Sequence, residues 1–378
     1  MKVAAALALV LVAGAGCLNN EPPAATATGE TETPSWMPCT FESFLPAPAR
    51  DGWMDRHPLN IAHQGGENEV PSATMYALKT AIRKGADMLE LDVHVTSDGE
   101  LVLLHDTTVD RTTEGSGAVQ DMTLAEIQKL DAAYWFVPGR NAVHDAAAGD
   151  YLLRGIRTGA KAPPPGCTAD DFRIPTLRQA LETFPGVMMN IEIKNGPPQG
   201  TGYEEALANI LAEFGRNDDT IIASFIDTWT ETFRVYNMDV STSTGTAETG
   251  LFKGTSLAVA PGAPTLLHEA FQVPIEFEGV PVVDADFVAD AHANGMAVHV
   301  WTIDDAATMH MLLDIGVDGI MTAEPTVLEQ VLQERGTLWS SLLASCGAAI
   351  RATMDCPWLL PSKEQVLHAM TATPKAQA

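Results

Sequence analysis

Residues 59–95, LNIAHQGGENEVPSATMYALKTAIRKGADMLELDVHV, contain a complete strand–helix–strand unit. Both ends are short apolar runs, which is typical of buried strands. Between them, the apolar residues of PSATMYALKTAIRKG recur at helical spacing, with Ser72 as the predicted N-cap and Gly85 as the predicted end of the helix. Because a strand, a helix and a second strand follow one another, the sequence predicts two parallel strands joined by a crossover helix.

The same alternation continues along the chain and predicts an α/β fold. Candidate strands are the short apolar runs at 59–62, 88–95, 101–104, 187–193, 221–225, 240–244, 271–275, 298–302 and 319–322. In a chain of 378 residues, repeated strand–helix units favour a closed TIM-like (β/α)8 barrel, which we place at 51–335. There is one candidate strand more than this barrel holds, and 271–275 has the weakest pattern.

Two segments depart from the repeat. In ELDVHVTSDGELVLLHD, residues 90–106, a Ser-Asp-Gly-Glu turn leaves no room for a crossover helix and predicts an antiparallel hairpin. Residues 134–172 are irregular and contain several Gly and Pro, so we expect an inserted loop subdomain over the barrel mouth. Residues 336–378 are expected to form a short, partly helical tail.

The N-terminus has the pattern of a bacterial export signal. In residues 1–17, Lys2 precedes an apolar stretch, and small residues lead to Cys17 as in a lipoprotein cleavage site. Gly14 stands where such sites usually carry Leu, so ordinary secretion is the alternative. Residues 18–50 are rich in Thr, Pro, Glu and Ala and predict a disordered spacer. We therefore expect a lipoprotein of the bacterial cell envelope, anchored to the membrane through lipid on Cys17.

The remaining cysteines are Cys39, Cys167, Cys346 and Cys356. Outside the cytoplasm four cysteines can form two disulfides in three pairings, of which we favour Cys346 with Cys356 and Cys39 with Cys167. The formal net charge of −27 argues against nucleic acid as a partner. An anionic substrate would need positive charge placed locally, from a metal ion or from Lys and Arg side chains.

Two buried-strand patterns carry acidic residues at alternating positions. Glu90 and Asp92 share one face of the first, and Glu192 and Lys194 share one face of the second. Buried carboxylates are costly unless they are neutralised, and three acids exceed the charge of one lysine. Oxygen ligands favour Ca²⁺ or Mg²⁺ over Zn²⁺, so we predict one such cation at Glu90, Asp92 and Glu192. A buried salt-bridge network among the same residues is the alternative.

Two histidines follow candidate strands. His63 lies in Ile-Ala-His-Gln-Gly-Gly, and His105 follows Leu-Val-Leu-Leu. Both positions correspond to the C-terminal ends of barrel strands, where barrel enzymes place their catalytic groups. Since the imidazole pKa lies near neutrality, such a pair can take a proton from an attacking hydroxyl and give one to a leaving alcohol.

Taken together, these motifs resemble the glycerophosphodiester phosphodiesterase family. The matching stretches are AHQGG, GADMLELDVHVTSDGELVLLHDTTVDRTTEGSG, IPTL, NIEIK, VHVWTIDD and GVDGIMT, in that order from about residue 60 to 325. The resemblance implies a TIM-like barrel that hydrolyses small glycerophosphodiesters to glycerol phosphate and an alcohol. It implies metal ligands at Glu90, Asp92 and Glu192, and an acid–base pair at His63 and His105. It also implies that Lys194 contacts the phosphate or the metal site.

Further substrate contacts follow from the same resemblance. Trp301 and Phe225 would line the substrate pocket, although packing at the barrel mouth is an equal alternative for Trp301. The family usually has Arg where Gln64 stands, and Pro-Glu-Asn-Thr where this chain has Pro-Ser-Ala-Thr with Ser72 in the second place. Gln64 would therefore contact phosphate without charge, and Arg111 could supply charge instead or only hold its loop.

Two other functions remain open on the sequence alone. One is phospholipase D-like hydrolysis of lysophospholipids or sphingolipids on the same barrel, which a membrane anchor would suit. The other is a non-catalytic surface binding protein, for which the changes at Gln64 and Ser72 are the argument. Retention of the three acids and both histidines favours an enzyme.

Overall fold

The computed structural model describes residues 52–54, 58–194, 202–256 and 267–337. The predictions for the export signal at 1–17, the lipid attachment at Cys17 and the spacer at 18–50 lie outside the described residues. So do Cys39, Cys346, Cys356 and almost all of the predicted tail at 336–378. Cys167 is disulfide-bonded.

Thirteen strands and nine helices make up the described part of the chain. The strands are β1 (Leu59–Ala62), β2 (Met88–Val95), β3 (Leu101–Leu103), β4 (Phe136–Val137), β5 (Asn141–Ala142), β6 (Met188–Ile193), β7 (Thr220–Ala223), β8 (Ser241–Thr242), β9 (Ala270–Pro274), β10 (Glu276–Phe277), β11 (Val280–Pro281), β12 (Ala297–Trp301) and β13 (Gly319–Thr322). The helices are α1 (Met75–Lys84), α2 (Leu124–Ile127), α3 (Leu177–Thr183), α4 (Glu204–Glu213), α5 (Asp227–Tyr236), α6 (Thr246–Ser256), α7 (Ala285–Ala293), α8 (Ala306–Asp314) and α9 (Pro325–Arg335).

Eight of the strands form a parallel barrel. Neighbours pair in the order β8-β7-β6-β2-β1-β13-β12-β9. A single parallel bridge between Ser243 and Ala270 joins the two ends of this order. Each barrel strand is followed by a helix before the next barrel strand, or before the end of the described chain in the case of β13 and α9. The predicted (β/α)8 barrel is confirmed.

The extra candidate strand was the one in the hairpin. β3 pairs antiparallel with β2, as the Ser-Asp-Gly-Glu turn predicted, and takes no place in the parallel order. The candidate with the weakest pattern, 271–275, corresponds to β9, a full barrel strand paired with β12. Gln272 and Pro274 weaken its apolar pattern because both face the cavity described below.

Helix α1 begins two residues later than its predicted cap. Thr74, not Ser72, is the N-cap, and its hydroxyl accepts a hydrogen bond from the Ala77 N–H at 3.1 Å. Ser72 is instead used in a side-chain contact with Gln64. Gly85 ends the helix as predicted, with a φ of 102° that favours glycine.

One end of the barrel is sealed by apolar packing. Trp53 is 2% exposed and packs with residues at the start of the strands, among them Leu59, Met88 and Met188. Its indole N–H donates to the Ser241 hydroxyl at 3.0 Å. This closed N-terminal end leaves the C-terminal ends of the strands for a binding site.

The inserted segment packs beside the loop between β1 and α1. Tyr76 of α1 stacks on Phe172 with ring centroids 4.8 Å apart, within a cluster that includes Val70 and Ile156. The Gly139 N–H also donates to the Asn68 carbonyl at 2.7 Å. These contacts support the loop that begins at His63. Within the described ranges, no helix is long and apolar enough to cross a bilayer.

Candidate active site

Three carboxylates meet at the C-terminal ends of adjacent strands. Glu90 and Asp92 project from β2, and Glu192 projects from β6, with Asp92 and Glu192 opposite one another in the strand register. Their oxygens approach within 4.8 Å of one another, and Glu90 and Asp92 are almost fully buried. The predicted acidic group therefore forms one cluster.

Lys194 is the cation nearest to this cluster. Its Nζ lies 3.0 Å from Asp92 Oδ1 and 3.1 Å from Glu192 Oε2. Burial opposes the charge on Asp92, but Lys194 outweighs it and lowers the pKa of Asp92. Burial, then the charge of Asp92, raises the pKa of Glu90 to about 8. One lysine therefore leaves the cluster short of positive charge.

The carboxylates fit a divalent cation. Both Asp92 oxygens are buried; Lys194 Nζ lies 3.0 Å from Oδ1, and Oδ2 has no partner among the described residues. Buried polar atoms without partners are costly, and a hard cation bound by oxygen ligands satisfies them directly. The unpartnered Oδ2 of Asp92 and the excess of negative charge both point to Glu90, Asp92 and Glu192 as the ligands of such a cation.

The two predicted histidines face each other across the same cavity. The ring centroids of His63 and His105 are 6.3 Å apart. His63 Nδ1 lies 2.6 Å from Glu67 Oε1, and His105 Nδ1 lies 2.7 Å from Asp106 Oδ1. Each ring is thus held by a carboxylate at Nδ1, which leaves Nε2 available to a ligand.

The charges around the two rings differ. Burial by itself lowers the pKa of His63, but Glu90 and then Glu67 outweigh it and raise that pKa to about 10. Asp106, which holds His105, is itself bound by Arg111 through Nε at 2.7 Å and Nη2 at 3.1 Å. Burial opposes ionisation of Asp106, yet His105 and Arg111 together hold the pKa of Asp106 below its ordinary value.

A cavity of about 520 Å³ lies over the carboxylates and histidines. Trp301 and Phe225 form part of its wall, edge to face with centroids 5.4 Å apart. Asn190 and Gln272 also line it, and the Gln272 amide donates to Asn190 Oδ1 at 2.8 Å. Lys194 is a further lining residue. Seven of the predicted site residues therefore border this space: His63, Glu90, His105, Glu192, Lys194, Phe225 and Trp301.

Gln64 and Arg111 have protein partners instead of facing the cavity. Gln64 is 3% exposed, its backbone N–H donates to Glu90 Oε2 at 2.8 Å, and its side-chain oxygen accepts from the Ser72 hydroxyl at 2.5 Å. Arg111 is bound to Asp106. In this geometry Gln64 positions a carboxylate of the cluster, and Arg111 positions the partner of His105.

Two lining residues, Asn190 and Gln272, were not singled out from the sequence, and neither was the contact of Glu67 with His63. Asn190 is two positions before Glu192 on the same strand face, so the period-two rule could have found it. Gln272 lies on the strand with the weakest pattern. Glu67 lies one turn after His63 in a loop without periodicity, and no sequence pattern separates it from Glu69 nearby.

Comparison with known proteins identifies the family. The sequence profile of the glycerophosphoryl diester phosphodiesterase family matches residues 63–327, which span both histidines and all three acids. The chain belongs to the glycerophosphoryl diester phosphodiesterase family. A glycerophosphodiester phosphodiesterase of Caldanaerobacter subterraneus subsp. tengcongensis is 35% identical over 282 residues, 74% of this chain and 99% of the relative.

Other members show the same relationship. A glycerophosphodiester phosphodiesterase of Bacillus subtilis is 29% identical over 280 residues, 72% of this chain and 86% of the relative. Among solved structures, a phosphodiesterase of Oleispira antarctica, in complex with the product sn-glycerol-3-phosphate, has a TM-score of 0.55 at 22% identity. The structural match covers 78% of this chain and 99% of the Oleispira antarctica chain. The solved structure supports the barrel fold of the family for this chain.

Proposed function

We propose that this protein hydrolyses glycerophosphodiesters to glycerol phosphate and an alcohol, with one Ca²⁺ or Mg²⁺ held by Glu90, Asp92 and Glu192. The observation that carries the proposal is the convergence of these carboxylates and two imidazoles on one cavity. Family membership supports the reaction class, and the cavity volume is of the size that small ligands occupy.

The histidines supply the proton transfers of this reaction. One ring accepts the proton of a hydroxyl, from water or from the substrate glycerol, as its oxygen attacks phosphorus. Attack by the glycerol hydroxyl gives a cyclic phosphate, which water then opens to glycerol phosphate. The other donates a proton to the alcohol oxygen as the P–O bond to the leaving group breaks. A divalent cation at the carboxylates would neutralise charge on a phosphate oxygen. Lys194, at 3.0 Å from Asp92, adds fixed positive charge beside the same oxygens.

Replacement of either histidine tests this proposal. His63→Ala and His105→Ala should each lower the release of glycerol phosphate from glycerophosphocholine by at least ~100-fold, because each removes one proton transfer. His310→Ala is the matched control, since His310 lies on α8 outside the cavity lining and contacts Glu334. Near wild-type turnover in either cavity variant, with the fold intact by circular dichroism, would contradict the proposed chemistry.

A phospholipase D-like action on lysophospholipids or sphingolipids is the second candidate, and one feature favours it. The β10–β11 hairpin places Phe277 and Val280 at the cavity, and they are 42% and 56% exposed. Phe225, 45% exposed, continues this apolar rim. Such a rim suits an acyl chain that extends from the phosphate site. No comparable observation favours a non-catalytic binding protein.

We further propose that the chain is exported and anchored through lipid on Cys17, with secretion as the alternative. The support is the order of Lys2, the apolar stretch and the small residues before Cys17. Cys17→Ser should shift the protein from the membrane fraction to the soluble fraction of the producing cells. Persistence of this variant in washed membranes would count against the anchor.

A further inference from the structure

We propose that Glu67 is a positioning residue for His63, which it holds so that Nε2 meets the substrate. The inference rests on the proposed function for its catalytic consequence, but the contact itself stands on geometry. Glu67 Oε1 lies 2.6 Å from His63 Nδ1, and His63 lines the cavity. A carboxylate at Nδ1 fixes both the ring orientation and the position of one ring proton.

A tight turn brings the two side chains together. His63 begins a short 3-10 turn, and the Gly66 N–H donates to the His63 carbonyl at 2.7 Å. Gly66 has a φ of 92°, and a Cβ there would lie 2.9 Å from Pro325. Because only glycine fits this position easily, the turn is well determined, and Glu67 is placed directly against the ring.

Nothing else among the described residues explains the burial of Glu67. The residue is 6% exposed, and its second oxygen, Oε2, is buried without a hydrogen-bond partner. A buried carboxylate with one partner is costly, so the fold alone would favour a neutral or exposed residue here. The contact with His63 is the one interaction that this placement provides.

His105 is also held by a carboxylate at Nδ1, but that carboxylate has a second partner. His105 Nδ1 meets Asp106, which is also bound by Arg111 at 2.7 Å. Asp106 therefore has a structural partner besides His105. Within the described part of the chain, the Glu67 side chain has a hydrogen bond or ion pair only with His63. Arg111 therefore helps to account for the position of Asp106, whereas, among the described residues, His63 alone accounts for the position of Glu67.

Glu69 provides a matched control from the same loop. Its two oxygens accept from the Thr326 backbone N–H at 2.9 Å and the Thr326 hydroxyl at 2.6 Å, at the start of α9. It is a largely buried carboxylate that contacts neither histidine. Removal of Glu69 should affect stability without a selective effect on turnover.

Kinetics of three variants test the role in catalysis. Glu67→Ala should lower kcat for glycerophosphocholine ~10- to 100-fold with little change in KM, as loss of an orienting partner does elsewhere. Glu67→Gln should recover much of kcat, because its amide oxygen can still accept from Nδ1–H. Glu69→Ala should keep wild-type kcat. Unchanged kcat in folded Glu67→Ala, or no rescue by Gln, would overturn the proposal.

A spectroscopic measurement tests the contact without reference to activity. The full-length, metal-loaded protein should show a downfield Nδ1–H proton resonance that His63→Asn removes. This resonance should be lost in Glu67→Ala and retained in Glu69→Ala. Its persistence in Glu67→Ala would overturn the inference. If the wild-type protein shows the resonance but no turnover, the proposed function fails while the contact is upheld.

Discussion

Gln64 and Ser72 form a neutral pair at the edge of the site. The Ser72 hydroxyl donates to Gln64 Oε1 at 2.5 Å, and both residues are buried. They stand at the two positions where the usual family pattern has a charged residue, Arg at 64 and Glu at 72. Since the usual Arg and Glu carry opposite charges, this neutral pair, whose side chains touch, leaves the local net charge the same.

Reversal of this pair gives a double-mutant prediction. Gln64→Arg alone should lower the free energy of unfolding by ~3 kcal/mol, since it buries a charge without a partner. Adding Ser72→Glu should restore at least ~1 kcal/mol, which is within the range for residues in contact. Urea denaturation measures both values, and Gln333→Arg on the surface of α9 is the control. Simple additivity of the two changes would show that they are not coupled.

His299 predicts a pH dependence of stability. It is fully buried inside the barrel, and burial lowers its pKa from 6.5 to about 4. Between those values the unfolded chain binds a proton that the folded protein does not, so His299 lowers stability as the pH falls from about 6.5 towards 4. The largest loss is about 3 kcal/mol.

Variants at two histidines isolate this effect. In His299→Gln, the fall in the free energy of unfolding between pH 7 and pH 4 should be smaller than in the wild type, by up to about 3 kcal/mol. His310→Gln, at a side chain that is 37% exposed, should keep the wild-type slope. Equal slopes for His299→Gln and the wild type would refute the assignment.

At the scale of elements, the positions of strands were more predictable than those of helices beside the cavity. Each of the eight barrel strands overlaps a candidate strand, including the polar β8 (Ser241–Thr242). Helix α6, TAETGLFKGTS, was not predicted, because Gly250 and Gly254 weaken its helical pattern. Both glycines line the cavity, and a Cβ on either would meet no atom within 4 Å. They leave space at the site at a cost in helix propensity.

The start of α1 was mispredicted for a different reason, which lies in the loop between β1 and α1. The Ser72 hydroxyl bonds to the side chain of Gln64, eight residues earlier, and Thr74 caps the helix instead. A local pattern favours Ser72 as a cap because it cannot include that tertiary contact. The three acids were predictable from strand periodicity and the two histidines from their positions after strands. The contact of Glu67 with His63 required the turn geometry.

Variants of the β10–β11 hairpin distinguish the two candidate substrate classes, small glycerophosphodiesters and long-chain lysophospholipids. Phe277→Ser with Val280→Ser should lower kcat/KM for a long-chain lysophosphatidylcholine ~10-fold or more, since each side chain contributes about 1 kcal/mol of apolar contact. Turnover of glycerophosphocholine should stay within twofold. Val235→Ser, at an apolar side chain that is 79% exposed and lies outside the cavity lining, is the control. Equal losses for both substrates would exclude a selective acyl-chain contact.

At the scale of the whole molecule, the two ends of the barrel have different roles. Trp53 and the apolar side chains around it close the N-terminal end, while polar and charged side chains gather at the C-terminal end. The fold thus places buried charge where strand ends can bring three carboxylates together. That arrangement follows from the parallel order of the strands, which the repeated strand–helix pattern predicts.

The net charge of −27 means that an anionic substrate needs positive charge placed at the site itself. The overall field repels an anionic substrate, and Lys194 only partly offsets the three carboxylates beside it. Phosphate binding therefore depends on positive charge held inside the cavity. A divalent cation at the carboxylates would supply that charge and give the buried Oδ2 of Asp92 a partner.

Metal removal and replacement is the most direct test. The full-length protein, stripped by a chelator and dialysed, should release no glycerol phosphate from glycerophosphocholine. About one equivalent of Ca²⁺ or Mg²⁺ should restore turnover in the wild type and not in Asp92→Asn. Full turnover by the stripped protein, or equal rescue of Asp92→Asn, would contradict a cation site at Glu90, Asp92 and Glu192.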